Sequence, residues 1–349
     1  MEKKRALVYV DRLFHCADGK TAHGLVRHSD RFDVQCVVDS TLPEGDAGER
    51  LDGMKRGIPL RNDLKVSIKE FDPEVFIIGA VSEGGILPLG YDDAVSYALS
   101  QGIDVISGLH QFLSDDPRFM MLATENRCKI TDVRKMFRDH KKFYTGNIKN
   151  VKSKRIALIG TDSAIGKRTL AVLLTKELRR RGKTADMIYT GQTGWMQGWP
   201  HGVVLDAMIN DFVAGGIEDA ILSSWEDMHP EYMIIEGQGS LVHPFFPGGF
   251  EILAAGNVDG FILVDAPKRK SLDGFPEYPM PDPHRVVKIA EILTEKSLLG
   301  IGLNNENMTS KDIEIITKKM EKEFKVPTVE SLSQGVGKLV DLLEELKSR

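Results

Sequence analysis

The 349-residue sequence has few cysteines and no long apolar run, and both shortages limit what it can be. Its three cysteines, Cys16, Cys36 and Cys128, form no CxxC pair, which argues against a disulfide framework or a zinc knuckle and suits a reducing cytoplasm. No run approaches the roughly 18 apolar residues of a membrane span, and the N-terminal apolar run is too short for a signal peptide. We therefore expect a cytoplasmic protein with no membrane partner.

The sequence also lacks an excess of basic charge. Its 46 Lys and Arg residues face 51 Asp and Glu residues, a net charge of −5, so no general basic field points to nucleic acid. A G-x-G-x-x-G motif after the first apolar run is missing too, which leaves a nicotinamide site unsupported. With 42% hydrophobic and 28% charged residues, the chain has the composition of a soluble globular protein long enough for two domains.

Apolar strand-like runs alternate with amphipathic stretches along both halves of the chain. The strands of the first half are "RALVYV", "FDVQCVVDS", "PEVFIIGAV" and "GIDVISGL", and the helices between them are "GKTAHGLVRHS" and "YDDAVSYALSQG". This alternation predicts an α/β fold with two domains, residues 1–148 and 149–349, each a mostly parallel sheet flanked by helices. The glycine-rich turn "SEGGILP" follows a strand, where open α/β sheets bind ligands, without pointing to a particular side chain.

Two further segments stand out by composition. Between residues 127 and 155, eleven Lys and Arg residues face two Asp, which indicates either a solvated linker or a rim that attracts an anionic ligand. Five prolines between Pro267 and Pro283 break any helix there, so we expect a long ordered loop or a lid.

The stretch "IALIGTDSAIGKRTL", residues 156–170, reads as a strand, a glycine-bounded loop and a helix. This layout brings backbone N–H groups and a lysine to an anion at a helix N-terminus, so it predicts a phosphate-binding loop. Five residues separate its glycines instead of the usual four; either the first glycine is one residue early or Thr161 replaces it. The candidate binding residues are Gly160, Thr161, Asp162, Gly166, Lys167, Arg168 and Thr169.

Arg168 departs from the pattern of nucleotide hydrolases, which carry a magnesium-binding Ser or Thr directly after the lysine. An arginine cannot ligate a cation, although Thr169 would be in place if the helix started one residue later. The guanidinium adds positive charge and a planar fork suited to phosphate oxygens. The loop therefore favours holding a phosphorylated ligand without necessarily splitting it, and we predict no metal ligand.

Several motifs together resemble a known bacterial and archaeal family over essentially the whole chain. They are "GTDSAIGKRT", "YTGQTGW", "DAMINDFVAGGIED", "IIEGQGSLVHP" and the "PKRK…PEYPMP" segment. That family joins a Rossmann-like N-terminal domain to a P-loop C-terminal domain, and its best understood members are N-acetyltransferases that act on D-glutamate beside a dipeptide-epimerase-type enzyme. The resemblance implies acetyl-CoA as acyl donor, an amino acid such as D-glutamate as substrate, and an epimerase as pathway partner.

Two alternatives remain open. The P-loop half is more distantly similar to dethiobiotin synthetase, which implies an enzyme that uses ATP with magnesium to activate a carboxylate. A nucleotide-binding regulatory module without turnover is the other alternative.

An acetyl transfer needs a base for the amine and an oxyanion site, and "IIEGQGSLVHP" supplies candidates for both. Glu236 ends an apolar strand and His243 follows, so either is a candidate base, although Glu236 could instead cap a turn or hold a cation and His243 could be a packed loop residue. The backbone of Gly237, Gln238, Gly239 and Ser240 is the candidate oxyanion site.

The remaining substrate-binding candidates are neutral or acidic. Thr190, Gln192 and Thr193 are expected on a loop after the strand "DMIY". "GVVLDAMINDFVAGG" is expected to form one helix with Asp206 and Asn210 on one face and Asp211 beside them, contacting a ligand or amine, or else merely solvated.

Overall fold

The computed structural model describes residues 3–346, which form two compact units. Within them the first unit comprises the chain up to His140, with Gln192–Trp199 and Asp206–Met208; the second comprises Lys141–Gly191, Pro200–Leu205 and the chain from Ile209 onward. The sequence placed the boundary at 148/149, whereas the structure divides the chain after His140 and returns two later segments to the first unit. The segment Gln192–Trp199 is hydrogen-bonded to the rest of the first unit. One of these bonds runs from Gln197 Nε2 to the Gly24 carbonyl oxygen at 2.8 Å.

The helices and strands are numbered here in chain order. The strands are β1 (Lys4–Tyr9), β2 (Phe32–Val38), β3 (Gly45–Asp46), β4 (Pro59–Arg61), β5 (Val75–Ile78), β6 (Asp104–Ser107), β7 (Ile130–Asp132), β8 (Lys154–Gly160), β9 (Ala185–Ile188), β10 (Tyr232–Ile235), β11 (Gly260–Asp265), β12 (Ser271–Leu272), β13 (Phe275–Pro279), β14 (Leu298–Leu303) and β15 (Thr328–Glu330). The α-helices are α1 (Lys20–Arg27), α2 (Ala47–Asp52), α3 (Leu64–Phe71), α4 (Tyr91–Ser100), α5 (Pro117–Glu125), α6 (Val133–Arg138), α7 (Lys167–Arg180), α8 (Gln192–Gln197), α9 (Asn210–Met228), α10 (Phe250–Ala255), α11 (Pro283–Thr294), α12 (Ser310–Phe324) and α13 (Gly337–Glu345).

The first unit contains a seven-stranded sheet in the order β3-β4-β2-β1-β5-β6-β7. Its neighbouring strands are parallel except for the β3–β4 pair. The four predicted strands are β1, β2, β5 and β6, and the two predicted helices are α1 and α4. Because both faces of the sheet are covered, the central strands are almost wholly buried, as their continuous apolar runs indicate.

The second unit contains a six-stranded parallel sheet in the order β15-β14-β11-β8-β10-β9. Parallel strands end on one edge, so the residues after β8, β9, β10, β11 and β14 come together there. The predicted α/β class, two mostly parallel sheets flanked by helices, is confirmed. None of the helices between residues 3 and 346 is long and apolar enough to span a membrane.

Three local predictions were wrong. The proline-rich segment, expected to be a loop or a lid, contains an antiparallel hairpin, β12–β13, because two of its prolines, Pro276 and Pro279, lie on a two-stranded ribbon whose outer groups need no partner. Gln192 and Thr193 start the helix α8 and do not lie on a loop. Asp206 lies in a 3₁₀ turn, and the extended backbone of Ile209 (φ −69°, ψ 134°) separates it from α9, so Asp206 and Asn210 share no helix face.

Candidate functional site

The loop between β8 and α7 has the predicted strand–loop–helix geometry. Gly160 ends β8, and Gly166, with φ +97°, precedes the first residue of α7. A Cβ atom at Gly160 would lie 2.9 Å from both Lys167 Nζ and Ile165 Cδ1, so a side chain at this position would displace the ends of these two side chains. The first N–H groups of a helix have no partner within the helix, and the loop therefore ends at a natural anion site.

Lys167 ties this loop to the turn after β10. Its side chain is buried, and Nζ donates hydrogen bonds of 2.7 Å to the carbonyl oxygens of Asp162 and Gly239. Both acceptors are neutral, so these two hydrogen bonds do not themselves cancel the ammonium charge at the start of α7.

Two residues that were not candidates, Arg269 and Asp265, form hydrogen bonds with side chains of the loop. Asp162 is buried and accepts hydrogen bonds from Arg269 Nη1 at 2.8 Å and from the Asp273 backbone N–H at 2.9 Å. Thr161 Oγ1 donates to Asp265 at 2.7 Å, and burial raises the pKa of that carboxyl group. Asp265 ends the apolar strand "GFILVD", the same signal that singled out Glu236, whereas Arg269 had no spacing signal.

Arg168 faces Glu236 across the loop. Its Nη1 atom lies 3.7 Å from Glu236 Oε1, while Oε2 of the same carboxylate accepts a hydrogen bond of 3.1 Å from the Thr190 backbone N–H. In magnesium-dependent P-loop enzymes a hydroxyl and an acidic group share a cation near this point. A guanidinium next to the acid repels a cation, so these residues fit a phosphate group and do not fit magnesium. Thr169, the next residue of α7, is half-buried. No cluster of three metal-ligating side chains occurs in the part of the chain that the structure describes.

His243 is a buried part of the same edge. Its Nδ1 atom accepts hydrogen bonds from the backbone N–H groups of Phe245 and Phe246, at 3.1 and 2.9 Å, so the ring proton is on Nε2. Nε2 lies 3.5 Å from Asp162 Oδ1, and burial lowers the pKa of the ring. A neutral imidazole whose basic nitrogen already accepts two hydrogen bonds is poorly placed to take a proton from a substrate.

The turn Gly237–Ser240 is packed tightly against its neighbours. A Cβ atom at Gly237 would lie 1.9 Å from the Leu158 carbonyl oxygen, and Gly239 has φ +40°. The Ser240 N–H donates to the Phe246 carbonyl at 3.1 Å, and Gln238 Nε2 donates to the Thr190 carbonyl at 2.8 Å. The Ser240 N–H is thus already used within the turn and is not open to an oxyanion.

The other candidate residues are divided between the two units. Thr190 lies beside Glu236 in the second unit, and Asp211 is exposed in the first turn of α9. In the first unit, Thr193 Oγ1 lies 3.1 Å from Thr21 Oγ1, and Asp206 forms an ion pair with Arg134. The predicted site residues therefore do not form one cluster within either unit.

Comparison with known proteins gives two family matches. Residues 142–340 match a domain of unknown function described as DUF1611_C, a P-loop domain. Residues 40–136 match the domain described as DUF1611_N, a Rossmann-like domain. The predicted family resemblance, with a Rossmann-like and a P-loop domain, is confirmed.

Two relatives carry the same name. A protein of Tritonibacter scottomollicae named D-glutamate N-acetyltransferase is 30% identical over 276 residues, which cover 77% of this chain and 81% of the relative. A protein of Pseudoalteromonas sp with that name is 28% identical over 273 residues, covering 76% and 80%. The solved structure of a DUF1611 family protein from Anabaena variabilis ATCC 29413 has a TM-score of 0.90 at 25% identity and covers 99% of this chain and 100% of its own.

Proposed function

This chain belongs to the DUF1611 family, and from that premise we propose that it is an N-acyltransferase. It transfers the acetyl group of acetyl-CoA to the amino group of an amino acid such as D-glutamate. Two relatives named D-glutamate N-acetyltransferase support this proposal. The observation that carries it is the ion pair of Arg168 with Glu236 in a phosphate loop, at the position where an ATP-splitting enzyme places its cation.

The donor site that we propose is the loop from Gly160 to Thr169. Acetyl-CoA carries several phosphate groups that remain intact during acyl transfer, so its site must hold anions without promoting phosphoryl transfer. Lys167 supplies a point charge, and Arg168 supplies a planar fork that matches phosphate oxygens. Together with the N-terminal N–H groups of α7, they neutralise a polyanion without a metal ion.

Glu236 and His243 have positioning roles in this proposal and do not act as the base. Glu236 Oε2 is held by the Thr190 N–H, which leaves Oε1 facing Arg168 and orients the guanidinium. His243 packs beside Asp162 with its basic nitrogen hydrogen-bonded to backbone. In the reaction the free amine attacks the thioester carbonyl, a C–N bond forms, the C–S bond breaks, and the CoA thiolate takes up a proton.

Calorimetric titration with acetyl-CoA in EDTA tests the donor site. We expect binding that magnesium does not strengthen. Arg168→Thr restores the hydroxyl of an ordinary P-loop, and we expect acetyl-CoA to bind about 10- to 100-fold more weakly, the effect of losing one hydrogen bond to a charged group. Arg180→Thr is the matched control, because Arg180 lies at the exposed end of the same helix and pairs with Glu177.

A second measurement follows thiol release with D-glutamate and identifies the acetylated product by mass spectrometry. ATP binding that requires magnesium, together with no acetyl-CoA binding, would contradict the proposal and favour a carboxylate-activating enzyme. Tight nucleotide binding with no product from any amino acid would favour a regulatory module.

A further inference from the structure

A cluster of five aromatic rings lies in the second unit beside the phosphate loop. This aromatic patch comprises His243, Phe245 and Phe246 from the loop between β10 and α10, and Phe275 and Tyr278 from the hairpin β12–β13. The ring centroids of Phe245 and Phe275 are 5.2 Å apart, and those of Phe275 and Tyr278 are 6.2 Å apart. The proposed function gives the exposed rings of this patch no role.

Three rings of the aromatic patch are strongly exposed to solvent. Phe245 is 57% exposed, Tyr278 is 49% exposed and Phe246 is 42% exposed, whereas Phe275 is half-buried and His243 is buried. A large apolar ring in water forgoes the free energy that its burial would contribute. Contiguous exposed apolar surface therefore marks a binding site, and these rings form a surface that a ligand would cover.

The backbone that presents these rings is restrained by prolines and by a histidine. Phe245 and Phe246 lie between two prolines, and a proline directly follows both Phe275 and Tyr278. Proline fixes its own φ angle, so less backbone freedom is lost when a ligand covers the rings. The N–H groups of Phe245 and Phe246 also donate to His243 Nδ1, at 3.1 and 2.9 Å. The aromatic patch is therefore largely formed before a ligand binds.

Both segments of the aromatic patch are joined to the phosphate loop. His243 Nε2 lies 3.5 Å from Asp162 Oδ1. On the hairpin, the Asp273 N–H donates to Asp162 Oδ2 at 2.9 Å, and Ser163 Oγ donates to Asp273 Oδ2 at 2.7 Å. The His243 ring in turn contacts the Phe275 ring, with a centroid distance of 5.5 Å. The exposed rings therefore begin one ring contact away from the loop.

The position and the chemistry of the aromatic patch fit the base of a nucleotide. Only a ribose separates the base of a nucleotide from its 5′-phosphates, so the base must lie near the loop that holds those phosphates. A purine is planar and neutral, and its faces stack on Phe and Tyr rings. The pantetheine arm of CoA is a flexible chain without a ring, so stacking cannot bind it.

We propose that the aromatic patch stacks the adenine ring of the nucleotide whose phosphates bind the loop, with Phe245 and Tyr278 as the main contacts. This inference rests on the proposed function, in which that nucleotide is the adenosine part of acetyl-CoA. The charges of the loop then bind the phosphates, and the rings bind the base. The patch becomes the feature that selects CoA over shorter pantetheine thioesters.

Calorimetric titration of three ligands in EDTA tests the aromatic patch. Phe245→Leu keeps an apolar side chain and removes the ring. We expect it to bind acetyl-CoA and ADP about 5- to 100-fold more weakly, the effect of losing base–aromatic stacking. Acetylated phosphopantetheine keeps a phosphate group and the thioester but has no adenine, so neither its Kd nor its kcat/KM as acetyl donor should change. Tyr278→Leu should act in the same way.

Two further variants separate stacking from simple packing. Phe245→Tyr keeps the ring and should bind both adenine ligands as tightly as the wild type does. Phe143→Leu is the matched control, because Phe143 is an exposed residue of the second unit whose ring packs on Phe212 in α9. It should leave all three affinities unchanged. Thermal unfolding shows whether each variant is folded.

The possible outcomes distinguish this inference from the proposed function. Unchanged affinity for acetyl-CoA and ADP in Phe245→Leu and Tyr278→Leu would overturn the base site and leave the proposed function in place. Equal weakening of acetyl-CoA and acetylated phosphopantetheine would also overturn it, since the rings would then contact the pantetheine arm.

Two other outcomes concern different occupants of the aromatic patch. A wild-type dimer that Phe245→Leu dissociates without any change in ligand affinity would overturn the base site and assign the patch to a second copy of the chain. ADP binding that requires magnesium and weakens in Phe245→Leu, in a protein with no acyl transfer, would support the base site and refute the proposed function.

Discussion

An arginine–carboxylate pair lies at the carboxyl edge of the sheet in each unit, Arg168–Glu236 in the second and Arg134–Asp206 in the first, and these two pairs have opposite polarity. In the second unit the side chain of Glu236 is 6% exposed and that of Arg168 is 20% exposed. In the first unit the side chain of Arg134 is 9% exposed and that of Asp206 is 40% exposed. The more exposed side chain is thus the cation in the Arg168–Glu236 pair and the anion in the Arg134–Asp206 pair.

The polarity of the Arg168–Glu236 pair suits the donor site that we propose, because a phosphorylated donor needs an accessible cation. In both pairs the buried partner fixes the geometry of the accessible one, at 3.7 Å in the second unit and by two hydrogen bonds in the first. A guanidinium and a carboxylate therefore present opposite charges in the two pairs, because burial decides which of the two is accessible.

Reversing the charge of the accessible group in the second unit should have the largest effect. Arg168→Glu places a second carboxylate beside Glu236, so we expect acetyl-CoA to bind at least about 100-fold more weakly, or about 2.7 kcal/mol. Calorimetric titration at fixed ionic strength measures it. Arg180→Glu makes the same change of net charge on the exposed end of α7 and should leave the affinity nearly unchanged. Equal losses in both variants would mean that overall charge, and not this pair, controls donor binding.

Removing the arginine should destabilise the protein by different amounts in the two pairs. Arg134→Met leaves Asp206 without its bidentate partner, and we expect about 2 kcal/mol of destabilisation in urea, below the value for a fully buried pair because Asp206 is partly exposed. Arg168→Met removes a contact of 3.7 Å in place of two hydrogen bonds and should cost less than Arg134→Met, about 1 kcal/mol, although Glu236 is buried. Because the two variants make the same chemical change, each is the control for the other. Equal losses would show that the two hydrogen bonds of the Arg134–Asp206 pair contribute no more to stability than the 3.7 Å contact of the Arg168–Glu236 pair.

The sequence predicted the framework of both units from features that local physics controls. Long apolar strands such as β1, β2 and β8, and the glycine-bounded loop before Lys167, follow directly from periodicity and backbone geometry. Strands of two or three residues, β3, β4 and β7, have too little apolar pattern to be recognised and form through pairing with longer neighbours.

The partners of the site residues could not be predicted, because they depend on distant contacts. Arg168 was recognised as a departure from the magnesium-binding pattern, but only the fold shows that Glu236 faces it. Asp206 was a candidate on an expected helix; its actual neighbours, Arg134 and His110, lie 72 and 96 residues earlier in the chain. The composition of segments 192–199 and 206–208 does not indicate that they belong to the first unit. The sequence therefore could not predict that the candidate site residues are divided between the two units.

The contrast between the two units extends to a histidine in each. Burial lowers the pKa of His110, whereas a hydrogen bond of 2.6 Å from His201 Nδ1 to the buried Asp186 raises the pKa of His201. A raised pKa in the folded state means that the stabilisation is fully present below the unfolded value, about 6.5, and is lost as the pH rises through the folded value. The wild type should therefore have a larger free energy of unfolding than His201→Asn. We expect this difference between the two proteins to be about 1 kcal/mol larger at about pH 6 than at about pH 9.

Urea denaturation at both pH values measures this difference. His284→Asn is the control, since His284 pairs with Glu323 on the surface, where an ion pair contributes little. A wild-type advantage over His201→Asn that stayed constant between the two pH values would show that His201 binds no extra proton on folding. In that case Asp186 would hold a neutral ring, and only the arginine pairs would distinguish the charge preferences of the two units.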